Sequence, residues 1–287
     1  LPACQAAWDY FRDRAPSPFG SLLLKGCLDK GLPLEAGSAS FNLVGINILG
    51  LGTVVESLHV IRELVFERCE IALYEVVQAV SDNFADETLR ALVQKVSGRY
   101  GEDSEATNSL AAEVSTAIAE LVLRRRLEGG VRPYPGFFAF GADILLVDTP
   151  SPDGRRKGDL ISYGVAPSSG VTTSPTAAMA SAANVAQNLA ACGNPLALTL
   201  DRRAVKGTKG IKLIQELVDT YFSLGGSHLH FNLASAEEMR RAQSEPQRHR
   251  DLTVRVSGFS ARFVQVAPHW QNALIERADN EHQEASL

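Results

Sequence analysis

The thiols and the imidazoles are the side chains of this sequence whose types suit bond-making chemistry. The chain has four cysteines and six histidines. Cys27 lies two residues before an acid, Asp29, and Cys69 directly precedes Glu70. A thiol beside an acid is compatible with a nucleophilic or thiyl cysteine. Taken alone, these spacings leave that interpretation open beside a structural one.

Metal and disulfide chemistry is not favoured. The cysteines form no Cys-x-x-Cys pair and the histidines no His-Glu-x-x-His pattern, so the sequence predicts neither a zinc site nor a disulfide framework. His228 and His230 flank Leu229, a spacing typical of the polar face of a strand. We therefore expect no metal.

A single glycine, Gly258, separates two strand-like runs near the C-terminus, in the stretch 255–263, which reads RVSGFSARF. Leu252, Val254 and Val256 alternate with polar residues before it, and apolar residues resume at Phe263. Alternation with period two predicts a half-buried strand. A glycine between such runs is most often a turn or bulge, so these residues alone favour an ordinary hairpin.

RVSGFSARF also resembles the radical motif of the glycyl radical enzymes of the pyruvate formate-lyase and glycerol dehydratase type, roughly Arg-Val-x-Gly-Tyr-x-x-x-Phe. The resemblance implies a stable carbon-centred radical at the Cα of Gly258. Loss of an α hydrogen leaves an electron shared between the amide nitrogen and the carbonyl, which needs a planar centre without a Cβ. It also implies that Arg255 and Arg262 hold the ends of the loop and that Ser257, Phe259 and Phe263 pack it, beside the alternative of plain hairpin anchoring.

Other motifs of this family occur upstream in the expected order. They are AGSASFN at 36–42, RYGED at 99–103, PDGR at 152–155 and GGSHLHFN at 225–232. The first departs from the family's Gly-Gly-Ala-x-Tyr-Asn, because Ser38 replaces a glycine and Phe41 replaces the tyrosine. The resemblance spans about residues 27 to 277, so the sequence is identified as the C-terminal portion of such an enzyme.

The resemblance implies a radical mechanism shared between chains or domains. A separate activating enzyme, using S-adenosylmethionine and an iron–sulfur cluster, takes hydrogen from the glycine. The glycyl radical then takes hydrogen from a buried cysteine, whose thiyl radical attacks a small-molecule substrate. In the family that cysteine lies farther upstream than the 257 residues that precede Gly258. We therefore expect Cys27 to be structural, the thiyl cysteine to lie on another chain or domain, and no bound cofactor.

Four residues are candidates for the substrate pocket. In the family the aromatic, proline-rich segment 131–138 approaches the barrel interior, and the 36–42 run is a shared motif. The candidates are Phe41, Asn42, Tyr134 and Phe137. Core packing is the alternative for the aromatic residues.

Composition excludes some classes of protein. The net charge is −5 without a basic block, which argues against nucleic acid as the main partner. No apolar run approaches membrane-spanning length, and residues 1–14 lack the pattern of a signal peptide. The composition therefore predicts a cytoplasmic protein, and the resemblance to the glycyl radical enzymes implies anaerobic, oxygen-sensitive metabolism and work in a complex or oligomer.

Amphipathic helices alternate with short strands, which predicts an α/β fold. The stretch 43–52, LVGINILGLG, is expected to be a loop leading into a helix with Glu56 outside its apolar face. The family architecture implies the C-terminal half of a ten-stranded barrel made of two half-barrels, plus a glycyl radical loop. The expected division is residues 1–148 for the barrel part and 149–287 for the radical domain.

Three functions remain open at this point. The first is the radical-bearing part of a lyase that cleaves C–C or C–heteroatom bonds, of the dehydratase or arylacetate-decarboxylase type. The second is a spare part that restores a radical to an oxygen-damaged enzyme. The third is a catalytically silent remnant that binds a partner. Residues 1–150 carry more of the barrel than a replacement loop needs, which favours the first.

Overall fold

The computed structural model describes residues 2–127, 131–138, 147–168, 171, 173–200, 202–256 and 259–282. Its helices are α1 (Pro2–Arg14), α2 (Pro18–Leu22), α3 (Cys27–Lys30), α4 (Leu51–Ile61), α5 (Leu73–Ser81), α6 (Glu87–Gln94), α7 (Glu105–Leu123), α8 (Pro175–Ala183), α9 (Gly207–Ser223), α10 (Ala236–Ser244) and α11 (Pro268–His282). A π-helical segment, Arg62–Glu67, extends α4, and short 3-10 helices cover Leu34–Ala36 and Phe263–Gln265. Within these ranges, every helix is too short or too polar to cross a membrane.

The strands form three two-stranded sheets in the described residues. In the first two, β1 (Leu43–Asn47) pairs in parallel with β2 (Arg132–Gly136), and β3 (Pro195–Thr199) pairs in parallel with β4 (His228–Asn232). In the third, β5 (Thr253–Arg255) pairs antiparallel with β6 (Ser260–Arg262). The expected mixed α/β class and the expected hairpin around residue 258 are both present.

Local sequence signals explain where the helices near the C-terminus begin and end. Ser235 caps α10, because its Oγ accepts a hydrogen bond from the Glu238 backbone N–H at 3.1 Å, and such a cap contributes about 1 kcal/mol. Ser174 caps α8 in the same way, and Pro175 follows it at the first helical position. Gly225 follows the end of α9 and has a φ of +98°, a left-handed backbone conformation that favours glycine.

The expectation of a loop at residues 43–52 is wrong for its first half. Residues Leu43–Asn47 are a strand, and its partner β2 lies almost ninety residues farther along the chain. Gly45 and Gly136 lie side by side with Cys192, and a Cβ on Gly136 would be 2.8 Å from the Cβ of Cys192. Gly45, one of the glycines that suggested a loop, therefore lies in a strand, where the missing side chain permits the close approach of Cys192.

Buried apolar residues form three clusters. The first surrounds β3 and α8 and includes Phe137 and Tyr221. The second joins the β5–β6 hairpin to α10 and α11 through Val254, Phe263 and Trp270. The third lies between α4, α5 and α6 and includes Phe84. The hairpin thus packs in a second apolar cluster, to which β3 also contributes Ala197.

Candidate functional site

The hairpin is closed by one backbone hydrogen bond next to the predicted site. The Val256 N–H donates to the Phe259 carbonyl at 3.0 Å, and Arg255 pairs with Ser260 directly behind it. Ser257 and Gly258, which the sequence analysis placed at the centre of the site, lie outside the described residues. The structure therefore describes the hairpin up to Val256 and again from Phe259.

The inner face of the hairpin is apolar, as the alternation in the sequence predicted. Leu252, Val254 and Val256 are all buried, and Phe263 is fully buried at the start of the segment after β6. Burying a side chain of this kind contributes about 1.5–3 kcal/mol. Phe263 thus packs the base of the hairpin.

Two other predicted support residues in the described part of the hairpin are exposed. Phe259 leaves 52% of its surface exposed. Arg262 approaches Asp251 at 3.8 Å, but the two side chains are 57% and 95% exposed. Exposed pairs of this kind stabilise little, because water solvates both charges well.

Asn232, which the sequence analysis did not single out, binds the backbone of the hairpin. Its Nδ2 donates to the Arg255 carbonyl at 2.9 Å, and its Oδ1 accepts from the Arg255 N–H at 2.5 Å. Asn232 is the last residue of β4 and is 8% exposed. The available signal was the last position of the GGSHLHFN motif, but nothing in the motif indicates which backbone the amide meets.

Two histidines and Arg255 form a polar cluster beside this contact. The Nε2 atoms of His228 and His230 lie 2.6 Å apart, so one ring donates and the other accepts with an unprotonated nitrogen. The Arg255 Nε lies 3.5 Å from the His230 Nδ1, and its Nη1 donates to the Ser260 Oγ at 3.3 Å. Burial, then the nearby His228 and Arg255, lowers the pKa of His230 to about 4.

The neutral state of the pair follows from this arrangement. The pKa of His228 is also lowered, first by burial and then by the positive charge of Arg255. Since both rings favour the neutral form near Arg255, the cluster carries a single positive charge at neutral pH. The expected position of both histidines on one face of a strand is confirmed, and they contact each other there.

A second polar centre lies at the junction of α4 with the turn at 151–155. Arg99 donates from Nη2 to the Glu56 Oε2 at 2.8 Å and to the Asp153 carbonyl at 3.1 Å, and the Ser168 N–H donates to the Glu56 Oε1 at 3.0 Å. These residues and Arg155 line a cavity of about 100 Å³. The expectation that Glu56 lies outside the buried face of its helix is wrong, because Glu56 is completely buried to meet Arg99.

The charges at this junction perturb one another. Burial raises the pKa of Glu56 to about 7, with Arg99 opposing the rise and Asp153 adding to it. Burial also raises the pKa of Asp153, while its hydrogen bond from Ser151 at 2.5 Å acts in the opposite direction. The arrangement joins α4 to the PDGR turn through Arg99, which pairs with Glu56 and donates to the Asp153 carbonyl.

The pocket candidates do not come together as one described cavity. Phe41 is 86% exposed, whereas Phe137 is fully buried in the first apolar cluster. The Asn42 Nδ2 donates to the carbonyls of Gly37 and Ala39, each at 2.8 Å. Tyr134 is half-buried on β2, opposite Gly45.

The thiols show no paired arrangement. All four are free, with Cys27 buried at the start of α3, Cys69 exposed, and Cys4 and Cys192 in between. Burial raises the pKa of the Cys192 thiol. No group of three or more His, Cys, Asp or Glu side chains that suits a metal ion is found among the described residues.

Comparison with protein families covers both parts of the chain. Residues 3–146 match the family described as pyruvate formate lyase-like, and residues 161–264 match the glycine radical family. The chain belongs to the glycyl radical enzymes. The second match includes the hairpin and Gly258, so the resemblance of RVSGFSARF to this family is confirmed.

Individual relatives of this glycyl radical chain are dehydratases and lyases. It is 31% identical over 277 residues to the (2S)-3-sulfopropanediol dehydratase of Klebsiella oxytoca, covering 93% of this chain and 34% of that enzyme. It is 28% identical over 274 residues to the isethionate sulfite-lyase of Bilophila wadsworthia, covering 92% and 33%.

The structural comparison gives the same relation. The glycerol-bound B12-independent glycerol dehydratase of Clostridium butyricum has a TM-score of 0.88 and 27% identity, covering 96% of this chain and 36% of that one. A Roseburia inulinivorans structure of 1,2-propanediol dehydration has a TM-score of 0.90 and 27% identity, covering 95% and 36%. The chain spans about a third of the length of these relatives and corresponds to their C-terminal part.

Proposed function

We propose that this chain is the radical-bearing part of a glycyl radical lyase and that Gly258 stores the radical. The observation that carries the proposal is the position of Gly258. It follows strand β5, whose central residue Val254 is buried, in the segment matched to the glycine radical family. In this proposal residues 1–148 belong to the barrel part and residues 149–287 form the radical domain.

The radical is transferred one hydrogen atom at a time. A separate activating enzyme, which uses S-adenosylmethionine and an iron–sulfur cluster, removes one hydrogen atom from the Cα of Gly258. During turnover the glycyl radical takes a hydrogen atom from a cysteine thiol, which restores the glycine and leaves a thiyl radical for the substrate. We assign that thiol to the part of the enzyme outside this chain.

The surface of the N-terminal part supports a larger enzyme. The region up to β1 leaves many large apolar side chains exposed, and α1 has none that is buried. They include Tyr10, Phe11, Phe19, Leu22, Leu23, Leu28, Phe41 and Leu43. Exposed apolar patches and open strand edges are normally covered in native proteins, so we infer that the rest of a ten-stranded barrel packs here, on the same or another chain.

We propose cleavage of a C–C or C–heteroatom bond in a small molecule. The relatives include dehydratases and a sulfite-lyase at 28% to 31% identity and an indoleacetate decarboxylase at 25%, so the more similar ones support the carbon–heteroatom class. Phe41, Asn42 and Tyr134 are proposed to line the substrate pocket once the barrel is complete. Phe137 is proposed to shape it from the core behind them.

Anaerobic activation followed by electron paramagnetic resonance tests the proposal. In the complete enzyme with its cognate activating enzyme, we expect a radical signal with a doublet splitting from the remaining α hydrogen of Gly258. Deuteration of glycine should collapse the splitting. Gly258→Ala should remove both the signal and turnover, because an added Cβ prevents the planar radical centre.

Gly20→Ala is the matched control. Gly20 has an ordinary backbone conformation, and a Cβ there would lie 3.5 Å from Ser17, so this variant should keep signal and activity. Exposure of the activated wild-type protein to air should cut the chain at residue 258. An intact chain after air, or full activity in Gly258→Ala, would refute radical storage and favour a silent partner-binding role.

A further inference from the structure

The β5–β6 hairpin joins the rest of the protein through an unusual contact. In the described residues, β5 and β6 pair only with each other, and neither extends the β3–β4 sheet. Strand β4 nevertheless runs past β5, and its last side chain supplies both hydrogen bonds to Arg255. A side-chain amide therefore takes the place of a neighbouring strand.

The register of the hairpin explains why Arg255 needs this partner. The closing bond joins Val256 to Phe259, and the Phe263 N–H donates to the Leu252 carbonyl at 2.8 Å. Because hydrogen-bonded and non-hydrogen-bonded pairs alternate in an antiparallel ladder, the Arg255–Ser260 pair between them turns its backbone groups outward. The Arg255 N–H and C=O are then the free groups of an edge strand. A primary amide satisfies both, since it presents one donor and one acceptor side by side.

The amide itself is rigidly held. The backbone of Asn232 pairs with Thr199 in the β3–β4 sheet, and its carbonyl accepts from the Leu200 N–H at 2.8 Å. With the Asn232 side chain nearly buried, its position is determined by the sheet. It transmits that position to Arg255, three residues before Gly258.

We propose that Asn232 is a positioning residue that holds the strand leading to Gly258 in register with the β3–β4 sheet. Its significance for radical transfer rests on the proposed function of Gly258. The amide sets how often the hairpin leaves the sheet. The apolar core of the hairpin, centred on Phe263 and Trp270, stays folded on α11 when the amide contact breaks.

Hydrogen exchange of backbone amides in the complete enzyme tests the contact without any radical. In Asn232→Ala, we expect exchange across residues 253–262 to be faster by roughly tenfold to a hundredfold, because two hydrogen bonds are lost. Exchange in β3 and α8 should stay unchanged. Asn232→Leu, which keeps the branched side-chain shape but removes the amide, should behave like Asn232→Ala.

Asn184→Ala serves as the control. Asn184 donates to the Ala180 carbonyl at the end of α8 and is exposed, so its loss should leave hairpin exchange as in the wild type. Unchanged exchange at residues 253–262 in Asn232→Ala would overturn the proposal. Equal acceleration in the hairpin and in β3 would also overturn it, since that result indicates a general loss of stability.

Kinetics separate positioning from a purely structural role. In Asn232→Ala, the initial rate of radical installation should rise several-fold, while kcat falls by at least tenfold with KM little changed. A loss of fold would lower both rates, which would count against the proposal. If the wild type forms no radical, the proposed function of Gly258 fails, and the exchange experiment still decides whether Asn232 holds the hairpin.

Discussion

The two polar centres of this chain differ in the interaction that stabilises them, which is a buried ion pair in one and hydrogen bonds from an uncharged amide in the other. At the junction, Glu56 and Arg99 form an ion pair whose side chains are 0% and 9% exposed. At the hairpin base, Asn232 and two neutral histidines meet the backbone and side chain of Arg255. Loss of one partner from a buried ion pair leaves an uncompensated charge, whereas loss of the Asn232 amide leaves two uncharged backbone groups of Arg255 without that partner, which costs less than an unpaired charge.

The difference assigns separate mechanical roles to the two centres. The junction ties α4 to the PDGR turn and is expensive to open, so it suits a permanent connection. The contact between β4 and β5 rests on two neutral hydrogen bonds from one side chain, Asn232, and suits a contact that opens and closes. The three predictions below test this contrast.

Replacement of Arg99 should have the largest effect. In Arg99→Met, Glu56 stays buried without its cation, and we expect the free energy of unfolding to fall by about 3–5 kcal/mol. Urea denaturation of the complete protein measures the change. A loss below about 1 kcal/mol would contradict the proposed difference between the two centres, because the junction would then contribute no more stability than the Asn232 contact.

Arg124→Met is the matched control for that substitution. Arg124 pairs with Glu120 at 2.6 Å, but the two side chains are 73% and 47% exposed. The expected change is below about 1 kcal/mol. The two variants together separate burial of the ion pair from removal of an arginine.

The junction should lose stability as the pH rises. The pKa of Glu56 is raised from 4.5 to about 7, so the folded protein binds more protons than the unfolded chain between these values. Stability therefore falls as the pH rises through this window and levels off above it. The contribution is at most about 3 kcal/mol. Glu56→Gln should flatten this part of the profile of melting temperature against pH, and an unchanged slope would contradict it.

The hairpin base should respond to pH with the opposite sign and the smallest effect. The pKa of His230 is lowered from 6.5 to about 4, so the docked hairpin binds fewer protons than the released one. The contribution of neutral His230 to docking is fully present above pH 6.5 and is lost as the pH falls towards 4. Protonation there adds charge beside His228 and Arg255.

Amide exchange at residues 253–256, corrected for the intrinsic effect of pH, measures this response. In the wild type, exchange should accelerate between pH 7 and pH 5. The factor should be smaller than the one that the Asn232→Ala substitution produces. His230→Gln keeps a polar group facing His228 and should remove most of the acceleration. The same acceleration in His230→Gln would show that the histidine pair does not control docking.

Much of the hairpin was predictable because its signals are local. The alternation of Leu252, Val254 and Val256 is the period of a strand with one buried face, and the structure buries all three. Ser235 before α10 was predictable for the same reason, since a cap acts within one helical turn. Membership of the glycyl radical enzymes also followed from short motifs in their order along the chain.

Contacts between distant residues were not predictable in this way. The strand at Leu43–Asn47 was expected to be a loop, because a parallel partner far along the chain leaves no local pattern. Glu56 was expected outside the buried face, because no periodicity indicates that Arg99 lies opposite it. Phe259 was expected to pack the loop and is 52% exposed in this chain. The burial of a residue at the tip of a hairpin depends on the neighbours of the tip, which no local pattern specifies.

The sequence by itself determined the family, the hairpin that flanks Gly258 and the type of residue that a radical centre requires. These follow from backbone chemistry and from patterns within a few residues. Only the tertiary structure decided that Asn232 meets Arg255 and that Glu56 meets Arg99, across 23 and 43 residues. The physical reason is that many groups in the chain are suitable partners for one hydrogen-bonding side chain. Packing of the whole chain decides which of them it contacts.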